Sequence, residues 1–337
     1  MPTPQSAQPL RGAIVGLGMM GRHHARLLQT TPRIAFAGAV DPGGDRYGAV
    51  RDAGDVHASV DELVERGRPD FAVVAVPTDE HLAVARTLAG AGVHMLIEKP
   101  LASTTAQARE IIAICRAGGV RAAVGHVERF NPALIELRRR TEEGQVGEVF
   151  LIGTERCGPF PDRIRDVGVV KDLATHDLDL VGWLGKSPID LVAAQTAHKT
   201  GREHEDLVLV TGRLATGLAF SITVDWLTPT KIRRMRILGD RGMLVADTLT
   251  SDLVFHENGR VTSEWDSSQA LRGVAEGNST RYALQRREPL LVELEAFCDF
   301  VLGDDASPAV TLEEGLQTVR CAEKVLESAR TLQTVRV

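Results

Sequence analysis

The stretch Ala13-Ile14-Val15-Gly16-Leu17-Gly18-Met19-Met20-Gly21, running on into Arg22-His23-His24-Ala25-Arg26-Leu27-Leu28, decides the fold. A short apolar, β-rich run feeds a GxGxxG turn, and the turn feeds a segment with apolar residues at helical spacing. That strand, turn and helix context gives weight to a pattern that is weak by itself. Within it Gly16 permits the tight turn, Gly18 lets a pyrophosphate approach the backbone, and Gly21 lets the helix pack closely on the strand. Met19 and Met20 fall at the amino end of the helix, where phosphate oxygens bind. Asp41 stands about 20 residues on, at the end of the next apolar run, where a carboxylate accepts from the adenosine ribose hydroxyls and favours NAD over NADP. Arg46 keeps NADP open, because a guanidinium can hold a 2′-phosphate if Asp41 turns away. His23 and His24 follow the fingerprint and are expected on the helix surface.

Outward from this turn the same rhythm repeats. Apolar runs at 34–40, 71–76, 93–97 and 120–124 alternate with helical spacing at 20–30, 60–66, 80–90 and 105–117. This is how parallel strands joined by crossover helices are written. The rhythm stops near residue 130. Helices are then expected at 132–140 and 171–184, a strand at 149–155, and a succession of extended runs at 189–197, 207–214, 218–224, 232–238 and 243–246. Two amphipathic helices at 289–302 and 311–329 close the chain. The expected fold is α/β: an N-terminal Rossmann domain over 8–126, then an α+β domain over 127–330 built on an open, mostly antiparallel sheet.

A chain of 337 residues is too long for one ordinary domain, and its 43% hydrophobic and 25% charged residues exclude a largely disordered protein. The net charge of −6 leaves no whole-chain electrostatic footprint for nucleic acid or an anionic membrane. No run of about 18 apolar residues occurs, and the polar first residues lack a signal-peptide pattern. Cys115, Cys157, Cys298 and Cys321 lie far apart and make no metal spacing. A reducing, cytoplasmic location and no bound metal are therefore expected.

Ligands of open α/β sheets collect at the carboxyl ends of the strands. The turn Val76-Pro77-Thr78-Asp79-Glu80-His81 stands at one such end, presenting Pro77, Thr78 and His81 to the nicotinamide half of the cofactor. The alternative is a plain helix cap by Thr78 or Asp79. Glu98-Lys99-Pro100 follows another strand and puts a carboxylate and an ammonium at the same edge. A lysine there can bind or deprotonate a substrate hydroxyl, although a lone strand-end lysine is commonly a solvated charge. Pro100 restricts Lys99 to extended backbone and makes a cis peptide conceivable. In Lys171-Asp172-Leu173-Ala174-Thr175-His176-Asp177-Leu178-Asp179 the four-residue spacing puts Asp172 and His176 on one helix face. The aspartate can orient the imidazole and stabilise its protonated form, giving an acid/base group suited to alcohol oxidation; a simple surface pair is the alternative.

In order and spacing, GLGMMG, Asp41, Glu98-Lys99-Pro100 and Asp172-x-x-x-His176 resemble the glucose-fructose oxidoreductase and inositol dehydrogenase family, Gfo/Idh/MocA, over nearly the whole chain. The resemblance implies that Lys99 positions or activates the substrate hydroxyl, Asp172 helps hold substrate and imidazole, and His176 is the general base. It also implies a second domain that holds substrate and forms a homodimer or homotetramer. Residues 125–132, 158–166 and 226–233 look like the branch acting on nucleotide sugars, above all UDP-N-acetylglucosamine oxidised at C3. Arg163, Arg165 and Lys231 would then offer cations to the diphosphate, or else make surface salt bridges. The run Arg138-Arg139-Arg140 is a solvated helix face. His126, Glu128 and Arg129 near the boundary are either ligand-shaping or structural. Two other readings stay open: the same redox step on inositol, a free sugar or a nucleoside, and a dinucleotide-binding regulator without chemistry.

Overall fold

The computed structural model describes residues 8–161, 167–259 and 276–337. It divides into two compact units, the described residues up to His126 with Leu290–Val319, and Val127–Pro289 with Arg320–Val337. The second domain expected over 127–330 thus differs at its C-terminal end. The reason is local: Val310 and Thr311 pair antiparallel with Val124 and Ala123, adding a short strand to the first sheet.

In the first unit the strands are β1 (Leu10–Val15), β2 (Ile34–Val40), β3 (Val56–His57), β4 (Phe71–Val74), β5 (His94–Glu98) and β6 (Ala122–Gly125). The helices α1 (Gly21–Thr30), α2 (Val60–Gly67), α3 (His81–Gly90) and α4 (Thr105–Ala117) alternate with them. Among the described residues the sheet has the order β15-β6-β5-β4-β1-β2-β3, where β15 is Val310–Thr311. The order reverses beside β1, and that switch point is where an open α/β sheet receives its ligand. Val15 lies level with Val40 and with Val74, so the turns after β1, β2 and β4 emerge at one edge. The core is mostly apolar, with Ala13, Val15, Val74, Met95 and Ile97 in one cluster, and it also encloses the side chains of His24, His81, Glu98 and Glu293.

The second unit holds α5 (Pro132–Glu142), β7 (Val149–Pro159), α6 (Thr175–Gly185), β8 (Ile189–Ala197), β9 (Leu207–Leu214), β10 (Ala219–Asp225), β11 (Leu227–Gly239), β12 (Gly242–Asp247), β13 (Asp252–Asn258) and β14 (Glu276–Tyr282). With β16 (Val335–Arg336) they form a nine-stranded sheet in the order β14-β13-β12-β11-β7-β10-β9-β8-β16. Among the described residues the β7–β10 pair is the only parallel one in this sheet. One face is buried under α6: Val208, Val210, Ile222 and Val224 share a core with Leu178, Val181 and Leu184. Further helices among the described residues are α7 (Pro289–Val301) in the first unit and α8 (Leu312–Thr331), assigned to the first unit as far as Val319 and to the second from Arg320. Among the described residues no helix is long and apolar enough to cross a membrane.

Candidate active site

The fingerprint glycines each meet a distinct constraint. Gly16 has φ +93°, and a Cβ there would lie 2.7 Å from the Ala75 carbonyl oxygen. A Cβ on Gly21 would lie 1.9 Å from the Gly16 carbonyl oxygen, so the start of α1 rests directly on the turn. Around Gly18 nothing lies within 4 Å, leaving its backbone open to a ligand. Met19 and Met20 are exposed and no side chain caps α1; the Arg22 and His23 amides donate to the Gly18 and Met20 oxygens, so a phosphate would be met by the turn ahead of them. Asp41 accepts from the Leu17 amide at 2.9 Å and from the Gly43 amide at 2.8 Å, tying the fingerprint loop to the end of β2. Each of its oxygens keeps a lone pair for a ribose hydroxyl. Arg46 stands beside the same turn, its Nη2 2.7 Å from where a Gly43 Cβ would be. An open Gly18, a bare helix start and a carboxylate at the end of β2 fit a dinucleotide.

Two neighbouring turns come from β4 and β5. Neither Thr78 nor Asp79 caps the helix that follows; Asp79 instead accepts from the Ser103 hydroxyl. His81 departs from the expected cofactor contact. It is 1% exposed, with Nδ1 3.2 Å from the Leu101 oxygen and Nε2 3.1 Å from the Val76 oxygen. Burial pulls its basicity below the ordinary histidine value, and the neutral ring, with one N–H, donates to one of these two carbonyls while packing between both turns. Glu98 is also buried rather than offered to a ligand: Oε1 meets His24 Nε2 at 2.8 Å and Oε2 accepts from the Lys99 amide at 3.2 Å. Burial opposes its ionisation, but His24 and Lys99 prevail and hold the carboxyl below its usual range. Lys99 itself is half-buried, and the Lys99–Pro100 peptide is cis. His24, expected on the helix surface, is thus an interior partner of the Glu98-Lys99-Pro100 turn.

In the second unit, Asp172 lies in a π-helical turn, Val170–Ala174, that runs into α6, and His176 is in the first turn of α6. The wider π turn still leaves residues four apart on nearly one flank, and such turns concentrate at functional sites. Sequence periodicity missed the residue that anchors this segment. Glu205 accepts from the Val170 amide at 3.0 Å, its own carbonyl accepts from Val169 at 3.1 Å, and a Cβ on Gly168 would lie 2.1 Å from its carboxylate. The buried side of α6 is fixed by ion pairs. Arg156 of β7 donates to Asp177 at 2.7 Å and Glu128 at 2.9 Å, while Arg129 grips Asp179 through two bonds of 2.8 and 2.6 Å. Glu128 and Arg129 therefore have structural partners. Lys231 is exposed on β11, its Cγ 3.5 Å from where a Gly158 Cβ would be. Arg163 and Arg165 lie outside the described residues. Arg138, Arg139 and Arg140 pair with Glu142 and Glu136 along α5, but the run is not the solvated face expected: Arg139 is exposed, whereas Arg138 and Arg140 are half-buried, stacked on Trp183 and Tyr282.

Comparison with known proteins adds the following. Residues 10–126 match the oxidoreductase family with an NAD-binding Rossmann fold, GFO_IDH_MocA, and residues 134–245 match the GFO/IDH/MocA C-terminal domain. The chain is 29% identical over 295 residues to the UDP-N-acetylglucosamine 3-dehydrogenase of Acidithiobacillus ferrooxidans, covering 87% of this chain and 88% of that protein. It is 29% identical over 330 residues to the myo-inositol dehydrogenase Hyg17 of Streptomyces leeuwenhoekii, covering 94% and 96%. A solved structure of the Acidithiobacillus enzyme superposes with a TM-score of 0.81 at 26% identity, over 96% of this chain and 99% of that one.

Proposed function

The chain belongs to the Gfo/Idh/MocA oxidoreductase family, and from that premise we propose that it oxidises a secondary hydroxyl of a sugar, with C3 of a UDP-N-acetylglucosamine-like nucleotide sugar as the first candidate. The observation that carries this reading is the pair Asp172 and His176 on one flank of a helical segment whose start is clamped by Glu205. The fingerprint turn and Asp41 hold the dinucleotide, with NAD favoured over NADP by the Asp41 carboxylate. The bound nicotinamide supplies the hydride acceptor. Lys99 binds the hydroxyl, His176 takes its proton, and Asp172 orients the imidazole and stabilises the imidazolium that results. Lys231, with Arg163 and Arg165, takes the diphosphate.

A second reading, inositol oxidation by the same residues, is favoured by the myo-inositol dehydrogenase relative, which the chain matches along nearly its full length. We assign a homodimer or homotetramer to the protein, supported by Leu209, an apolar side chain 44% exposed on the strand face opposite buried Val208 and Val210. A cytoplasmic location is in keeping with four buried, unpaired thiols.

Following NADH absorbance with UDP-N-acetylglucosamine, myo-inositol and free sugars separates the two substrates. Failure on every UDP-sugar removes the first. Lys99→Ala and His176→Ala are each expected to abolish turnover and leave NADH binding intact; turnover retained in both overturns the catalytic assignment.

A further inference from the structure

Behind Lys99, inside the first unit, lies a carboxyl group that the proposed reaction does not use. Glu293 of α7 is 2% exposed, and among the described residues neither of its oxygens has a hydrogen-bond partner. Its neighbour one turn on shows which way this face of α7 looks. Phe297 packs edge-on against Phe71 of β4, with ring centroids 5.5 Å apart. The space over Gly12 is bounded by that same Phe71 ring and by Leu28 of α1. So α1 and α7 cover one face of the sheet, with Leu28, Phe71 and Phe297 in a common apolar layer.

One turn before Leu28 comes His24, and one turn before Phe297 comes Glu293, so both project into the next layer toward the ligand edge. In that layer His24 binds Glu98 through Nε2, while its Nδ1 is buried without a partner among the described residues. Glu98 is the third member, set against Gly125, where an added Cβ would come within 3.4 Å of its carboxyl. Burial, reinforced by the charge of Glu98, raises Glu293 well above the usual carboxyl range. Other titratable groups near Glu98 are His81 of α3, whose ring nitrogens face two carbonyl oxygens, and buried His126, which follows the Gly125 paired with Glu98.

We propose that Glu293 is a positioning residue that completes a buried chain with His24 and Glu98, directly or across one trapped water, and so fixes the carboxylate behind Lys99. A buried donor or acceptor left without a partner is destabilising, because it gives up its bonds to water and gains none in return. Here a carboxyl and a ring nitrogen are orphaned in one layer, and a single link satisfies both. Burial favours the protonated form of Glu293, and in that form it donates a hydrogen bond without placing a second negative charge beside Glu98. Glu98 then keeps its charge, accepts from His24 and the Lys99 amide, and holds the turn that presents the ammonium group.

The kinetic consequence rests on the role given to Lys99 above; the chain of groups does not. Glu293→Leu and Glu293→Gln in the full-length protein test it. Replacing Glu293 by Leu leaves His24 Nδ1 buried without the proposed partner, so the unfolding midpoint is expected to fall, and a raised midpoint would overturn the link. The positioning role predicts that the same variant also loses about tenfold or more in kcat, with NADH affinity held, and that Gln, which keeps donor and acceptor, restores most of the loss. Heteronuclear NMR of the His24 ring reads the link without activity: Leu shifts the Nδ1 resonance and Gln leaves it in place. An unmoved Nδ1 resonance in Glu293→Leu overturns the chain, and a normal kcat in that variant overturns the positioning role. A shifted resonance in a protein whose Lys99→Ala variant still turns over supports the chain and removes only the assignment of Lys99.

Discussion

Adding one methyl group at Gly18 and one at Gly21 should produce two separable defects. At Gly21 the new Cβ falls 1.9 Å from the Gly16 carbonyl oxygen, a backbone atom that cannot swing aside. To reach a tolerable separation the start of α1 must lift from the turn by about 1 Å, and overpacking of this kind costs about 1–3 kcal/mol. At about 2–4 °C per kcal/mol for a unit of this size, the ligand-free midpoint drops by several degrees. At Gly18 nothing lies within 4 Å, so Gly18→Ala should leave the ligand-free midpoint unchanged. Its methyl group instead occupies the face a pyrophosphate needs, and the same 1–3 kcal/mol is then charged to binding, weakening NADH by about 5- to 150-fold. Ligand-free thermal scans and NADH fluorescence titrations on both variants distinguish the cases. Should Gly18→Ala bind NADH like the native protein, or melt early without ligand, the assignment of Gly18 as the open phosphate-facing position is wrong.

Two further predictions follow from residues that hold the site. Removing the clamp by Glu205→Ala strips the cap from Val170, at a cost of about 0.5–2 kcal/mol. It is expected to lower kcat by misplacing Asp172 and His176 while NADH affinity is unchanged; a parallel loss in NADH affinity would argue that the clamp acts on the whole fold. His81 gives a pH dependence whose sign is set by its depressed basicity. Below its ordinary value of 6.5 the unfolded chain takes up a proton that the buried ring resists, so the unfolded state binds more protons and stability falls as the solution is acidified from that value toward the lower folded one. In His81→Gln the decline in unfolding midpoint over that interval should be shallower; slopes identical to the native protein would show that another group titrates.

What could be seen in the sequence was what depends on near neighbours. The roles proposed for Gly16, Gly18 and Gly21 come from a turn whose parts lie within six residues; the structure puts backbone atoms against Gly16 and Gly21 and leaves Gly18 open. The alternation of strands and crossover helices was equally visible, because fully buried parallel strands such as Phe71–Val74 read as continuous apolar runs. Elements without such a signature escaped. β14 is almost wholly exposed and carries no apolar face, and the two-residue β15 is too short for any period, which is also why 290–319 was expected in the second unit. His24 sits four residues before Leu28 on the buried stripe of α1, so helical periodicity already placed it inside; its polarity argued otherwise, because its partner Glu98 lies 74 residues away.

The same separation explains why Glu205 left no trace. It is an acidic residue in a loop 35 positions from the amide it caps, and nothing in its own neighbourhood distinguishes it from a solvated charge. The side chains proposed to carry the chemistry, Asp172 and His176, are betrayed by their spacing along one element. Groups that hold them still act across the fold, and their signature is an energetic one, a buried charge that would be costly without its partner. It follows that the supporting residues of this protein, Glu205, Arg156 and His24 among them, are the positions where substitution should alter rate through geometry with no contact to substrate.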